Sequence, residues 1–159
     1  MSAFVPIDLA AAVQARLRDR IPAAELPDIA GETDFATLVA ERRLPPRLPA
    51  AFVIATGFNA QFQRRAGAIS HDITQGLGVV LVQSHAGDAS GALARAAVWP
   101  LELRVILALA GWSPATGYAG FALTESRLQG LGGAGAAGSV ASTISFVTNW
   151  HLHSKEVAP

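Results

Sequence analysis

The sequence predicts an α+β fold: a mostly antiparallel four-stranded sheet with two main helices, in the order α-β-β-α-β-β. Three observations predict it. Two segments repeat apolar residues at helical spacing, four segments read as strands, and the links between paired strands are of the hairpin type that favours antiparallel pairing. The 159 residues suit one domain spanning 1–159, large enough to enclose a single core.

The first helix is predicted from Asp8, a capping residue, to about Ile21, because Leu9, Val13, Leu17 and Ile21 recur every four positions against polar Gln14, Arg16, Arg18 and Asp19. Pro22, Pro27 and Gly31 break that pattern. Asp34 can cap a short helix through Arg43, which the Pro45-Pro46 pair ends, so residues 22–50 read mostly as connection. The first strand is "AAFVIATG" from Ala50, with Phe52 and Ile54 facing one way, Val53 and Ala55 the other, and Gly57 stopping it. Residues 58–76 alternate weakly and read as a long, mobile hairpin connection. The next strand, Gly78 to His85, is apolar on both faces at its centre, as expected where both sides are covered or a subunit interface lies near.

Asp88 or Ser90 begins the second main helix, in which Leu93, Ala97, Leu101, Val105 and Leu109 form an apolar stripe that ends at Gly111. Pro100 inside it predicts a kink near Ala96 to Pro100, or else a helix end there. Arg95 and Glu102 share the polar side, and Arg104 on the margin calls for a carboxylate partner or solvent. The last two strands are Phe121 to Leu128 and Thr143 to His153, the latter alternating Ile144, Phe146, Thr148, Trp150 and Leu152 against Ser145, Val147, Asn149 and His151. A Gly-rich turn at 130–138 joins them. Trp112 and Trp150 read as packing residues.

Composition narrows the function. Twelve basic residues balance 12 acidic ones, without the basic excess of a dedicated nucleic-acid binder. Only 15% of residues are charged and 51% are hydrophobic, so a lone subunit leaves apolar surface exposed and self-association would bury it. There is no cysteine, which excludes disulfides, thiol nucleophiles and thiolate metal sites. The start "MSAFVPIDLAAAV" lacks the pattern of a secretory signal, making the cytoplasm the expected site of synthesis, and Val105 to Trp112 falls far short of a membrane span.

Chemical motifs are weak. Gly133, Gly135 and Gly138 match dinucleotide-binding glycine spacing, but a β-patterned segment follows where that motif requires a helix. His151 and His153 share a strand face, with His71 and His85 as further candidates, yet two histidines fall short of a zinc site and the roles of all four stay open. No nucleophile elbow or paired carboxylates appear, so no catalytic residue and no cofactor are expected. Arg64 and Arg65, among Phe58, Asn59, Gln61, Phe62 and Gln63, form a candidate partner-binding site, a protein surface being favoured over DNA because two arginines supply little charge.

The segments "RLPPRLPAAFVIATG", "GLGVVLVQSH", "LELRVILALAGWSP" and "STISFVTNWHLHS" together resemble the phage tail terminator family, found in tailed phages and phage-derived gene transfer agents. The resemblance spans roughly Leu44 to Ser154. It implies a non-enzymatic virion protein, assembled in the host cytoplasm, whose hexameric ring caps the head-proximal end of the tail tube. That ring would stop tube polymerisation and offer a surface to a head-side connector or stopper, with DNA only as passing cargo and no membrane. Arg64 and Arg65 would then lie on an arm that orders on the tube or lines the DNA passage. A head-to-tail connector or tail-completion protein is the nearest alternative, and a small cytoplasmic enzyme or ligand-binding domain is the alternative from another class.

Overall fold

A computed structural model describes residues 6–65, 68–131 and 138–154. The elements run α1 (Leu9–Arg20), β1 (Asp28–Gly31), α2 (Glu32–Glu41), β2 (Ala50–Arg65), β3 (Ala68–Ser84), α3 (Ala92–Leu109), β4 (Ala122–Leu131) and β5 (Ser139–Ser154). The strands form one sheet in the order β1-β2-β3-β5-β4, with β1 parallel to β2 and every other pair antiparallel. The α+β class stands. The four-stranded, two-helix expectation is corrected to a five-stranded mixed sheet with three helices. β1 escaped because four residues between Pro27 and α2 carry no usable alternation, and they become a strand only by lying against Ala50–Val53.

α1 forms as its spacing dictates. The Ala11 N–H donates to the Asp8 carboxylate at 3.0 Å, and Leu9, Val13, Leu17 and Ile21 are all buried. They meet Ala51, Val53, Leu77, Val79, Leu81, Ile144 and Phe146 of the sheet, together with Leu101, Val105, Ala108 and Leu109 of α3, in the main core. Arg16 ties the two helices together: its Nε–H donates to the Ala108 carbonyl at 3.0 Å while its guanidinium lies 5.2 Å from the Trp112 ring centre. The opposite face carries a smaller cluster, in which Phe35 and Leu38 of α2 pack against Ala50, Phe52, Val80, Val82 and Ala141.

The largest correction concerns residues 58–76, read as a mobile connection. They are strand: β2 continues to Arg65 and β3 begins at Ala68, in unbroken register from Phe58 opposite Gln75 to Arg65 opposite Ala68. The cause is a β-bulge. Thr56 is the extra residue between Ala55 and Gly57, and Gly57 has a φ of 89°, a conformation glycine adopts without the Cβ clash other residues meet. Beyond the bulge even-numbered residues take the face that odd-numbered residues held before it. The period of two is interrupted mid-strand, which hides the strand from pattern analysis.

α3 is helical through Pro100, so the alternative of a helix end there is not found. Its start uses both expected residues: the Leu93 N–H donates to Asp88 Oδ2 at 2.7 Å and the Ala92 N–H to Ser90 Oγ at 3.3 Å. Its core face also differs from the expected stripe. Ala94, Val98, Leu101, Glu102, Val105, Ala108 and Leu109 are buried, whereas Leu93 is exposed. Glu102, placed on the polar side by sequence, is buried because its carboxylate accepts hydrogen bonds from the Ser126 and Ser142 hydroxyls of β4 and β5. Arg104 has its carboxylate, Glu25, at 3.0 Å. Gly133 and Gly135, with most of the turn at 130–138, lie outside the described residues.

Candidate functional site

β2, β3 and β5 are each 16 or 17 residues long, about 50 Å at strand rise, and the helices cover only one end of them. The uncovered end is a three-stranded arm made of residues 58–65, 68–75 and 149–154. Strand alternation makes it two-faced. On the side shared with α1 and α3 stand Phe58, Ala60, Phe62, Ile73, Trp150 and Leu152, with Phe58 71% and Phe62 74% exposed. Phe62 lies against the His71 ring, 6.5 Å between centres, and the Trp150 Nε1–H donates to Gln75 Oε1 at 3.3 Å.

The other side of the arm is polar. His151 Nδ1 and Asp72 Oδ1 are 2.6 Å apart across the β3–β5 pair, and Gln63 Nε2–H donates to the second Asp72 oxygen at 3.3 Å. The Thr74 hydroxyl donates to Asn149 Oδ1 at 2.7 Å. The acid beside His151, which no neighbouring sequence position supplied, comes from a strand 79 residues away. His153 stands opposite Ser70 on this same side, whereas His71 stands opposite Leu152 on the apolar side, and His85 follows the far end of β3. The four histidines are therefore not brought together, and among the described residues no group of three His, Cys, Asp or Glu is placed to hold a metal ion.

Arg64 stands opposite Ile69 near the tip of the arm, exposed and on the same side as Phe62, and Arg65 stands opposite Ala68 in the last described pair of that hairpin. The structure thus puts the arginine pair at the end of a paired β-arm rather than in a loose connection.

Sequence reasoning missed a second apolar surface. The outward side of α3 carries Leu93, Trp99, Leu103 and Leu107, with Trp99 61% and Leu107 71% exposed, directly away from its core face. Its signal was present: α3 is apolar around nearly its whole circumference, a pattern that marks a helix covered on all sides. β4, at the sheet edge, adds exposed Leu123 and Leu128. No helix among the described residues is long and apolar enough to cross a membrane.

Fold and surfaces together describe an α+β protein with apolar side chains and sheet edges left uncovered among the described residues. A chain from the "Virion of native gene transfer agent (GTA) particle" shares the fold, with a TM-score of 0.54 at 18% identity over 91% of this chain and 95% of that one. A search among curated proteins finds no match. The chain belongs to the phage tail terminator protein family, which it matches over residues 2–152. It is a structural protein of the phage tail.

Proposed function

We propose that this chain forms the ring that caps the completed tail tube at its head-proximal end in the virion, ends tube polymerisation and presents a surface to the head-side connector. Family membership is the observation that carries this reading. The uncovered apolar residues support it: Phe58 and Phe62 on the arm, and Trp99 and Leu107 on α3, stand exposed in groups with other apolar side chains, and such patches mark interaction surfaces. A head-to-tail contact repeated by rotation closes into a ring and buries such a surface once per subunit, and a hexamer is the ring size proposed. The partners are further copies of the chain, the tube protein and the connector or stopper, with DNA passing through the ring as cargo. The chain acts as one unit over 1–159, and no chemistry at a catalytic centre is involved.

Arg64 and Arg65, at the tip of the arm, are proposed to contact the tube or the passage. Alanine replacement of both is expected to weaken tube capping with the melting temperature of the isolated subunit unchanged, and normal capping would remove them from the interface. The reading as a whole is tested by electron microscopy of particles from a producer strain lacking this gene, scoring tail length and head attachment in the same fields. Overlong, unjoined tails beside filled heads are expected. Tails of normal length that fail to join assign the chain to a connector, and normal particles discard a virion role.

A further inference from the structure

Among the described residues the sheet has two open edges, on opposite sides. β1 covers β2 only at Ala50–Val53, and among the described residues no other strand lies beside the main chain from Ile54 to Gln63 on that side. From Ile54 to Gln63 this edge holds no charged residue and no proline, two of the devices by which exposed edges resist pairing, and its bulge at Thr56 precedes the stretch from Phe58 onward. The other edge is β4, ten residues long. β2 and β5 run in the same direction because both are antiparallel to β3, and β4 is antiparallel to β5. A second copy translated sideways therefore brings its β4 antiparallel to β2, with the α1- and α3-bearing faces of the two sheets on the same side.

The side chains on the two edges match. On β2, Phe58 and Phe62 stand opposite Gln75 and His71, four residues apart, with Ala60 between them. On β4, Leu128 and Leu123 stand opposite Ser142 and Phe146, again four residues apart, with Ser126 between them, because the bulge between Leu123 and Glu125 absorbs the odd residue. All of these lie on the face that carries α1 and α3, and Phe58, Phe62, Leu123 and Leu128 are all exposed. Antiparallel pairing with Phe58 beside Leu128 also sets Phe62 beside Leu123 and small Ala60 beside small Ser126. On the reverse face it sets neutral Asn59 and Gln61 beside Arg127 and Glu125, which already neutralise each other at 3.0 Å.

We propose that copies of this chain join by strand addition, the β4 edge of one copy pairing with the free β2 edge of the next in this register. The inference rests on the ring reading above and names the surface that builds the ring. The ten residues of β4 fit between the end of the β1 pairing and Arg64, and they cover both exposed phenylalanines. Each copy is displaced along the strands relative to its neighbour by about six residues, the kind of stagger that lets a twisted sheet close on itself.

The absence of cysteine permits a direct test. Within one chain positions 59 and 127 are separated by β3 and β5, at least about 14 Å at ordinary strand spacing, beyond the reach of a disulfide. An Asn59→Cys/Arg127→Cys chain, assembled into particles in a producer strain and mildly oxidised, is expected to run as a ladder of covalent multimers on a non-reducing gel. Gln61→Cys/Glu125→Cys, in the same register, should do likewise. Gln63→Cys/Arg127→Cys, four residues out of register, should give about tenfold less cross-linking. Equal cross-linking of all three, or none in particles whose tails are capped at normal length, overturns the strand pairing and leaves the ring reading standing. Absence of the unsubstituted chain from purified particles overturns both.

Discussion

Gly138 has a φ of 76°, and a Cβ there would stand 2.3 Å from the Asp88 carbonyl oxygen and 2.9 Å from that of His85. The turn entering β5 is held against the turn before α3 at a distance only hydrogen on the α-carbon permits. Gly138→Ala is expected to destabilise the fold by about 2 kcal/mol or more, read as a lower urea midpoint with an unchanged slope. In that same turn the Ser90 hydroxyl, and then the Leu93 N–H, hold the Asp88 carboxyl below its ordinary pKa. A carboxyl depressed on folding contributes stability that is present above its unfolded pKa and lost as pH falls through the folded one. Asp88→Asn should therefore lower the melting temperature slightly at neutral pH. The difference from the unsubstituted chain should vanish in acid below the carboxylate range, and a constant difference at every pH would mean that charge is not the cause.

Among the elements, α3 shows a sequence rule overridden. Pro100 has no N–H for the Ala96 carbonyl, yet the helix continues to Leu109 because Leu101, Val105, Ala108 and Leu109 bury themselves in the core on its far side. Packing outweighs one lost hydrogen bond. Pro100 is exposed, so Pro100→Ala is expected to add roughly 1–3 kcal/mol, measured by chemical denaturation, and a loss of stability would indicate that the proline ring is packed. β2 shows a second rule overridden: its first half was legible as a strand, but Thr56 shifts the phase beyond it, so no single period spans the strand and the second half read as a connection. β5 has no bulge against β3, and its alternation read correctly from Ile144 to Trp150.

For the whole molecule, the low charge fraction and high apolar fraction forecast surface that a single chain cannot bury, and the arm and the outward side of α3 are that surface. Trp99 and Leu107 lie away from the core, so replacing both with glutamate is expected to change subunit stability by no more than about 0.5 kcal/mol. Under the ring reading, it should exclude the subunit from tails, scored by its content in purified particles. A large fall in melting temperature would instead place these side chains in the fold of the subunit. The arginine pair was legible as a site candidate from its aromatic and amide neighbours. Its position at the tip of a paired arm was not, because that depends on strand partners more distant in sequence.

The residues alone sufficed for the α+β class, α1 with its cap and buried stripe, the start of α3, the face of β5 that enters the core, and the resemblance to tail terminators. Each of these is written in local spacing, where residues three, four or two apart share a face whatever the rest of the chain does. The folded chain set the rest: the parallel pairing that makes β1 a strand, the rotation of α3 that buries Glu102 against two serines, the pairing of Asp72 with His151, and the continuation of the hairpin past its bulge. These depend on contacts between residues far apart in the chain. Their free energy comes from burial and hydrogen bonding across elements, and no local period records it.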